Sequence, residues 1–347
     1  MIGQGDDILE GDAEEKDLWF LPGPLEDDEL PPGASPLPQA PQGLLFDPRD
    51  WLQAQNALSG DLARLTQIFG ELDLRLRGAP PGLHLRLALR EASDLSWWSG
   101  DRLSVDRLSL WHVLRIGSTD DTEQALARAG WAVRRLTGGA PPADGLTAFL
   151  ERVSDGAEET ALGPDSGALS DLSVLMGKIA DLHPVTQGAI VFFAWRMLGA
   201  SWSRDLEAAV LAARHAASIS RKPGRGALFI PLVLSGADTF RGQGGPQAKL
   251  TAWILGAERA TLAALLHLEM VSNWQSNAAE AVSDLSGRTP LRLIRVFAAH
   301  PLVSAPMAER ETGVSRAAVQ RNLDRLSVRG LIREITGQGR FRVWSIA

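Results

Sequence analysis

Apolar residues recur at three- and four-residue intervals through most of this chain, and strict alternation appears only near its carboxyl end. The run from Asp47 to Arg77 places Leu58, Leu62, Leu65, Phe69 and Leu72 on one face of a helix, and GAPPG (residues 78–82) ends it. LHLRLALREASDLSWWSGDRLSVDRLSLWHVLRI then predicts a helix, a turn at Ser99–Gly100 and a shorter helix. DDTEQALARAGWAVRRL predicts another, with an acidic first turn suited to the helix dipole. Loops at 138–145 and 155–167 flank a short helix. Three helical stretches follow, DLSVLMGKIADLH, PVTQGAIVFFAWRML and RDLEAAVLAARHAASIS. ALFIPLVLSG is either a strand or an irregular buried segment, and KLTAWILGAERATLAALLHLEMVSNWQ is a long helix.

The last sixty residues follow a different order. TPLRLIRVFAAHP predicts a helix with Leu291, Ile294, Val296 and Phe297 for a core, stopped at Pro301. APMAERETG predicts a short helix ending on Gly313. Ser315 can cap a third helix, whose Val319, Leu323 and Leu326 share one face while Ala317, Gln320, Arg321 and Asp324 point away. Gly330 supplies the stop. LIREIT and RFRVWSI alternate apolar and polar residues around GQG as a hairpin does. Three helices and a hairpin in this order predict a winged helix-turn-helix over 288–347, after a helical domain over 47–287. The fold class expected is therefore mainly α.

Charge sharpens this division. The chain is acidic, with a net charge of −7, yet residues 288–347 hold eleven arginines and four acids, a local surplus of seven positive charges. Such a patch binds phosphate whatever the sign of the whole. In a winged helix-turn-helix the third helix enters the major groove, which nominates Arg316, Ala317, Gln320 and Arg321 for base edges. Arg340 and Arg342, with the helix start at Ser315, are nominated for phosphates. Arginine pairs bidentately with guanine and glutamine with adenine. Double-stranded DNA is the partner expected.

Residues 1–46 carry eleven acids against Lys16 and a proline-rich run, PPGASPLPQAPQG, so they predict a disordered tail. Within it DLWFLPGPL, centred on Trp19–Phe20–Leu21, suits a protein partner or the chain's own basic end. Without cysteine the chain has no disulfide, thiolate zinc site or thiol nucleophile. The amino terminus has no secretory pattern, and the longest apolar run, GAIVFFAW, is cut by Arg196, which points to a cytoplasmic protein and no membrane. The six histidines lack metal-ligand spacing, RGQGGPQAK lacks the phosphate-loop register, and the serines lack the hydrolase elbow, so no metal, cofactor or nucleophile is expected.

One stretch resembles a catalytic motif. DLHPVTQGAIVFF is similar to the active-site loop of Fic proteins, nucleotidyl transferases with the pattern H-P-F-x-x-G-N-G-R; His183, Pro184 and Gly188 match it. Val185 replaces the aromatic, and Ala189, Ile190 and Val191 replace Asn, Gly and Arg. The resemblance implies His183 as general base, with Gln187 at the metal-binding position. Without an anion nest the developing phosphoryl charge has no stabiliser. The same residues read as a helix start, with Pro184 in the first turn, His183 near the cap, and Ile190, Phe192, Phe193 and Trp195 in the core. LALREASDLSWWSGDRLSVDRLSLWHVL and LREITGQGRFRVWSI further resemble the two ends of an alphaproteobacterial, rhizobial-type family of helix-turn-helix proteins, Fic-like in layout. That resemblance implies a Fic-like helical domain without the catalytic motif, followed by a DNA-binding module. The expectation is a non-enzymatic transcriptional regulator, dimerising or sensing through its helical domain. The alternatives are a divergent Fic-type nucleotidyltransferase and a protein-interaction adaptor.

Overall fold

The computed structural model describes residues 46–114, 120–150, 166–198, 204–220, 226–232, 243–337 and 341–347. The acidic tail, including Trp19–Phe20–Leu21, lies outside the described residues, as do most of the KPGRG turn and the 155–167 loop.

The first predicted helix is two. Asp47 caps α1 (Pro48–Ala57) by accepting from the Arg49 N–H at 2.9 Å. The chain leaves helical geometry at Leu58 (φ −108°, ψ 18°) before α2 (Ser59–Leu76) begins. The spacing still tells the truth about burial, because Leu58, Leu62, Leu65, Phe69 and Leu72 all face the core. α3 (Pro81–Trp98) and α4 (Val105–Leu114) are separated by a reversal in which Gly100 takes φ +92°. α5 (Asp120–Thr137), α6 (Leu146–Leu150), α7 (Ser166–Lys178), α8 (Pro184–Leu198) and α9 (Arg204–Ala216) complete this layer.

α8 is the centre of the body. Every residue from Val185 to Trp195 is buried, as expected of a helix that is apolar on all sides. A side chain at Gly188 would put its Cβ 2.9 Å from the Ala216 Cβ and 3.1 Å from the Ala212 carbonyl, so this glycine sets how closely α9 packs. Phe192 stacks at 5.2 Å on both Phe193 and Trp253.

The segment 226–232 settles into the irregular alternative. Having no strand neighbour, its backbone N–H groups turn to buried carboxylates: Ala227 to Asp73 at 3.0 Å and Leu232 to Glu91 at 2.8 Å. Ile230 donates instead to the Ala213 carbonyl at 3.0 Å.

α10 (Pro246–Ala281) is 36 residues long and joins two cores. Leu250 to Leu268 pack into the body, whereas Trp274 and Ala278 belong to the core of the carboxyl-terminal module. That module continues with α11 (Thr289–Ala299), β1 (Val303–Ser304), α12 (Ala305–Thr312), α13 (Arg316–Val328), β2 (Ile332–Glu334) and β3 (Val343–Ile346). The three strands form one antiparallel sheet in the order β1-β3-β2. Its core contains Leu293, Ile294, Phe297, Val319, Leu323, Leu326, Ile332 and Trp344. Leu291 is exposed, contrary to expectation, because Leu293 rather than Leu291 shares the buried face with Ile294 and Phe297. Trp274, Ala278 and Val282 also contribute to this core, upstream of the residue-288 boundary drawn from the sequence.

The module is keyed onto the body. A Cβ at Gly82 of α3 would lie 1.5 Å from the Ala299 carbonyl, so only glycine permits α3 to abut the end of α11. Beside it, buried Arg86 donates to the Phe297 and His300 carbonyls, and burial lowers its pKa to about 10. Arg333 of β2 pairs with Asp106 of α4 at 3.0 Å.

Candidate nucleic-acid interface

Two terminators aim α13. α12 starts at Ser304, whose hydroxyl accepts from the Met307 N–H at 3.4 Å, and ends at Gly313 in the left-handed region (φ +67°). That conformation turns the chain so that Ser315 stands at the N-cap of α13 in extended geometry. Its hydroxyl makes no capping hydrogen bond to the first turn of α13. The other end closes fully. Gly330 takes φ +68°, its N–H reaches the Ser327 carbonyl at 2.9 Å, and Leu331 reaches Leu326 at 3.0 Å, a Schellman motif.

α13 buries Val319, Asn322, Leu323 and Leu326 and leaves the opposite face to solvent. Ser315, Arg316, Ala317, Arg321, Asp324 and Arg325 are exposed and Gln320 is half-buried. The nominated base readers therefore do share one accessible surface. Their side chains differ in readiness. Gln320 donates to Asp324 at 3.0 Å, and Arg316 lies 3.7 Å from Glu309, too far for a hydrogen bond. Among the described residues Arg321 has no side-chain partner, and neither does Arg325, one turn along, which was not among the residues nominated from the sequence. Its omission came from assigning residues by the first two turns alone, whereas the exposed side runs the length of the helix.

The hairpin brings Arg342 to the same side. Its guanidinium lies 2.6 Å from Glu334 across the β2/β3 ladder and 3.9 Å from Asp324 of α13, with Trp344 beneath it at 4.9 Å. The hydrogen bond to Glu334 raises its pKa above the usual arginine value. Arg340 lies outside the described residues. Phe341, with φ +58°, is 76% exposed at the hairpin end. Other arginines of the segment have structural partners: Arg292 donates to the Thr312 carbonyl at 3.0 Å, and Arg329 makes a two-armed pair with Asp284 at 2.7 Å. The positive surface is thus narrower than the arginine count suggests. It centres on Arg321 and Arg325.

His183 sits elsewhere, at the start of α8. Its Nδ1 accepts from the Val185 N–H at 3.3 Å, its own N–H donates to Gln55 at 2.7 Å, and its Nε2 faces Thr66 at 3.3 Å. Gln187 donates to the Ala180 and Leu182 carbonyls, and its amide oxygen pairs with His215 at 2.7 Å. Burial lowers the pKa of both histidines. Among the described residues no group of three or more acids and histidines is placed to hold a metal, and no helix is long and apolar enough to cross a membrane.

Residues 291–347 match the family model described as HTH DNA binding domain. The chain therefore carries a carboxyl-terminal helix-turn-helix DNA-binding domain. It follows a mainly helical body. No curated protein matches the chain.

Proposed function

We propose that this chain is a transcriptional regulator whose carboxyl-terminal winged helix-turn-helix reads double-stranded DNA. In this reading α13 enters the major groove, with Arg321 as the leading base contact and Arg316, Ala317 and Gln320 beside it. Arg325 meets phosphate on one flank. The β2/β3 hairpin acts as the wing, with Arg342 and Arg340 along the backbone. The carrying observation is that the helix-turn-helix segment presents a solvent-facing α13, within the matched residues, with two exposed arginines that have no partner among the described residues. Binding exchanges the Arg342–Glu334 contact for phosphate and releases counterions from the DNA, so affinity falls steeply with salt.

The helical body, Fic-like in layout, acts without catalysis and serves dimerisation or signal sensing. The hydrogen bonds of His183 and Gln187 support this, since His183 accepts from the Val185 N–H at the helix start and Gln187 donates to the Ala180 and Leu182 carbonyls of the preceding turn. Genomic pull-down with wild type and an Arg321→Ala/Arg325→Ala double variant tests the DNA reading. Enrichment of discrete sites is expected for wild type, and the double variant should lose roughly a hundredfold in affinity, about 1–3 kcal/mol per arginine. Absence of enrichment in wild type would sink it. Incubation with labelled ATP tests the non-catalytic assignment, where labelling abolished by His183→Ala is the adverse result.

A further inference from the structure

The solvent side of α10 carries an apolar stripe that neither core uses. Leu255, Leu262, Leu266 and Met270 are 40%, 48%, 57% and 59% exposed, and they recur at helical spacing along one line. Arg259 and Glu269 stand on the same line, both exposed and without a partner among the described residues. Their positions are symmetric: Arg259 precedes Leu262 by three residues, and Glu269 follows Leu266 by three.

We infer that α10 is the interface of an antiparallel homodimer, with its twofold axis midway between Leu262 and Leu266. That axis sets Leu262 of one copy against Leu266 of the other and Arg259 against Glu269, twice over. A parallel pairing would face each charge with its own copy, a repulsive arrangement, so the charge pattern selects the antiparallel one. The stripe continues into an open groove of about 870 Å³ lined by Asp50, Gln53, Ala54, Thr251, Leu255 and Arg259. The same symmetry lays the second copy's polar Asn273 and Asn277 against Leu255 and Thr251, at the wetter margin of the interface. The two helix-turn-helix domains then stand at opposite ends of the pair. From the axis to Ala278 is about 21 Å at 1.5 Å per residue, so the two domain cores begin about 40 Å apart along the helices.

Sedimentation equilibrium of the full chain tests this. Wild type should form dimers in the micromolar range. Leu266→Glu should weaken them about a hundredfold, and Arg259→Glu or Glu269→Arg alone about tenfold, with the Arg259→Glu/Glu269→Arg double variant restored. These side chains are exposed, so unchanged helical circular dichroism is expected throughout. Because the chain has no cysteine, Arg259→Cys mixed with Glu269→Cys should cross-link on oxidation, while either alone should not. A wild type that stays monomeric up to about 200 µM, a dimer indifferent to these substitutions, a double variant that is not rescued, or self-cross-linking of Arg259→Cys would each overturn the inference.

Discussion

Helices α8 and α13 are of similar length, 15 and 13 residues, and both follow a short connection, yet they spend their polar groups in opposite directions. At the start of α8, His183, Gln187, Gln55 and His215 satisfy one another and the local backbone. At the start of α13, Ser315 makes no capping hydrogen bond, and the outward side holds Arg321 and Arg325 without partners among the described residues. A helix whose hydrogen bonds close inward contributes stability. One that leaves donors and cations facing water keeps them available for a ligand, here within a helix-turn-helix DNA-binding domain.

The contrast can be broken most severely at Gly188. Gly188→Leu drives a branched side chain into Ala216 and the Ala212 carbonyl and should destabilise the body by roughly 3 kcal/mol. Chemical denaturation measures the loss, and a near-neutral result would deny that α8 and α9 pack as described. Acid should strike the body next. Burial, with Arg90 and Arg86 nearby, lowers the His267 pKa from 6.5 to about 4, and burial lowers His183 and His215 as well. The unfolded chain therefore binds more protons below its ordinary histidine pKa. The stability these groups give is full above pH 6.5 and is lost as the pH falls from there towards 4. Thermal melts should show the decline, and His267→Gln should flatten it.

Smaller changes sharpen the comparison at the two helix starts. His183→Ala removes an engaged cap and should cost about 1 kcal/mol, whereas Ser315→Ala should leave stability nearly unchanged and weaken DNA binding instead. Equal stability losses would erase the distinction. Least in size, Asp324→Asn removes a negative charge from the exposed side of α13 while Arg342 keeps its closer partner Glu334, so non-specific DNA affinity at low salt should rise about threefold. Fluorescence anisotropy would detect it, and a fall would place Asp324 among the base contacts.

Periodicity in the sequence was enough to read the helices, the left-handed glycines at 313 and 330 and the hairpin, because each rests on local chemistry. Other features depended on distant partners. The break at Leu58 is marked only by Ser59 and Gly60 just after it, and a lone glycine inside a helical pattern is compatible with an unbroken helix. β1 spans only two residues, too short for alternation to register, and exists because β3 offers it an edge. Leu291 and Leu293 are alike in composition, and only the position of the surrounding helices decides which is buried. The readiness of the nominated Arg316 and Arg342 was equally invisible, since Glu309 and Glu334 reach them only in the folded chain.

The length of α10 bears on how such a domain can be inherited. Trp274 holds the Leu331 carbonyl at 2.9 Å and sets its ring against Phe297, so the last turns of α10 are part of the reading head itself. A recombination event joining residues 288–347 to a foreign protein would cut through that core and leave Phe297 uncovered. A breakpoint near Met270 would carry the whole unit, and Gly82 and Arg86 would still be missing from the new host. The DNA-reading end of this protein travels well only in the company of the body that shaped it.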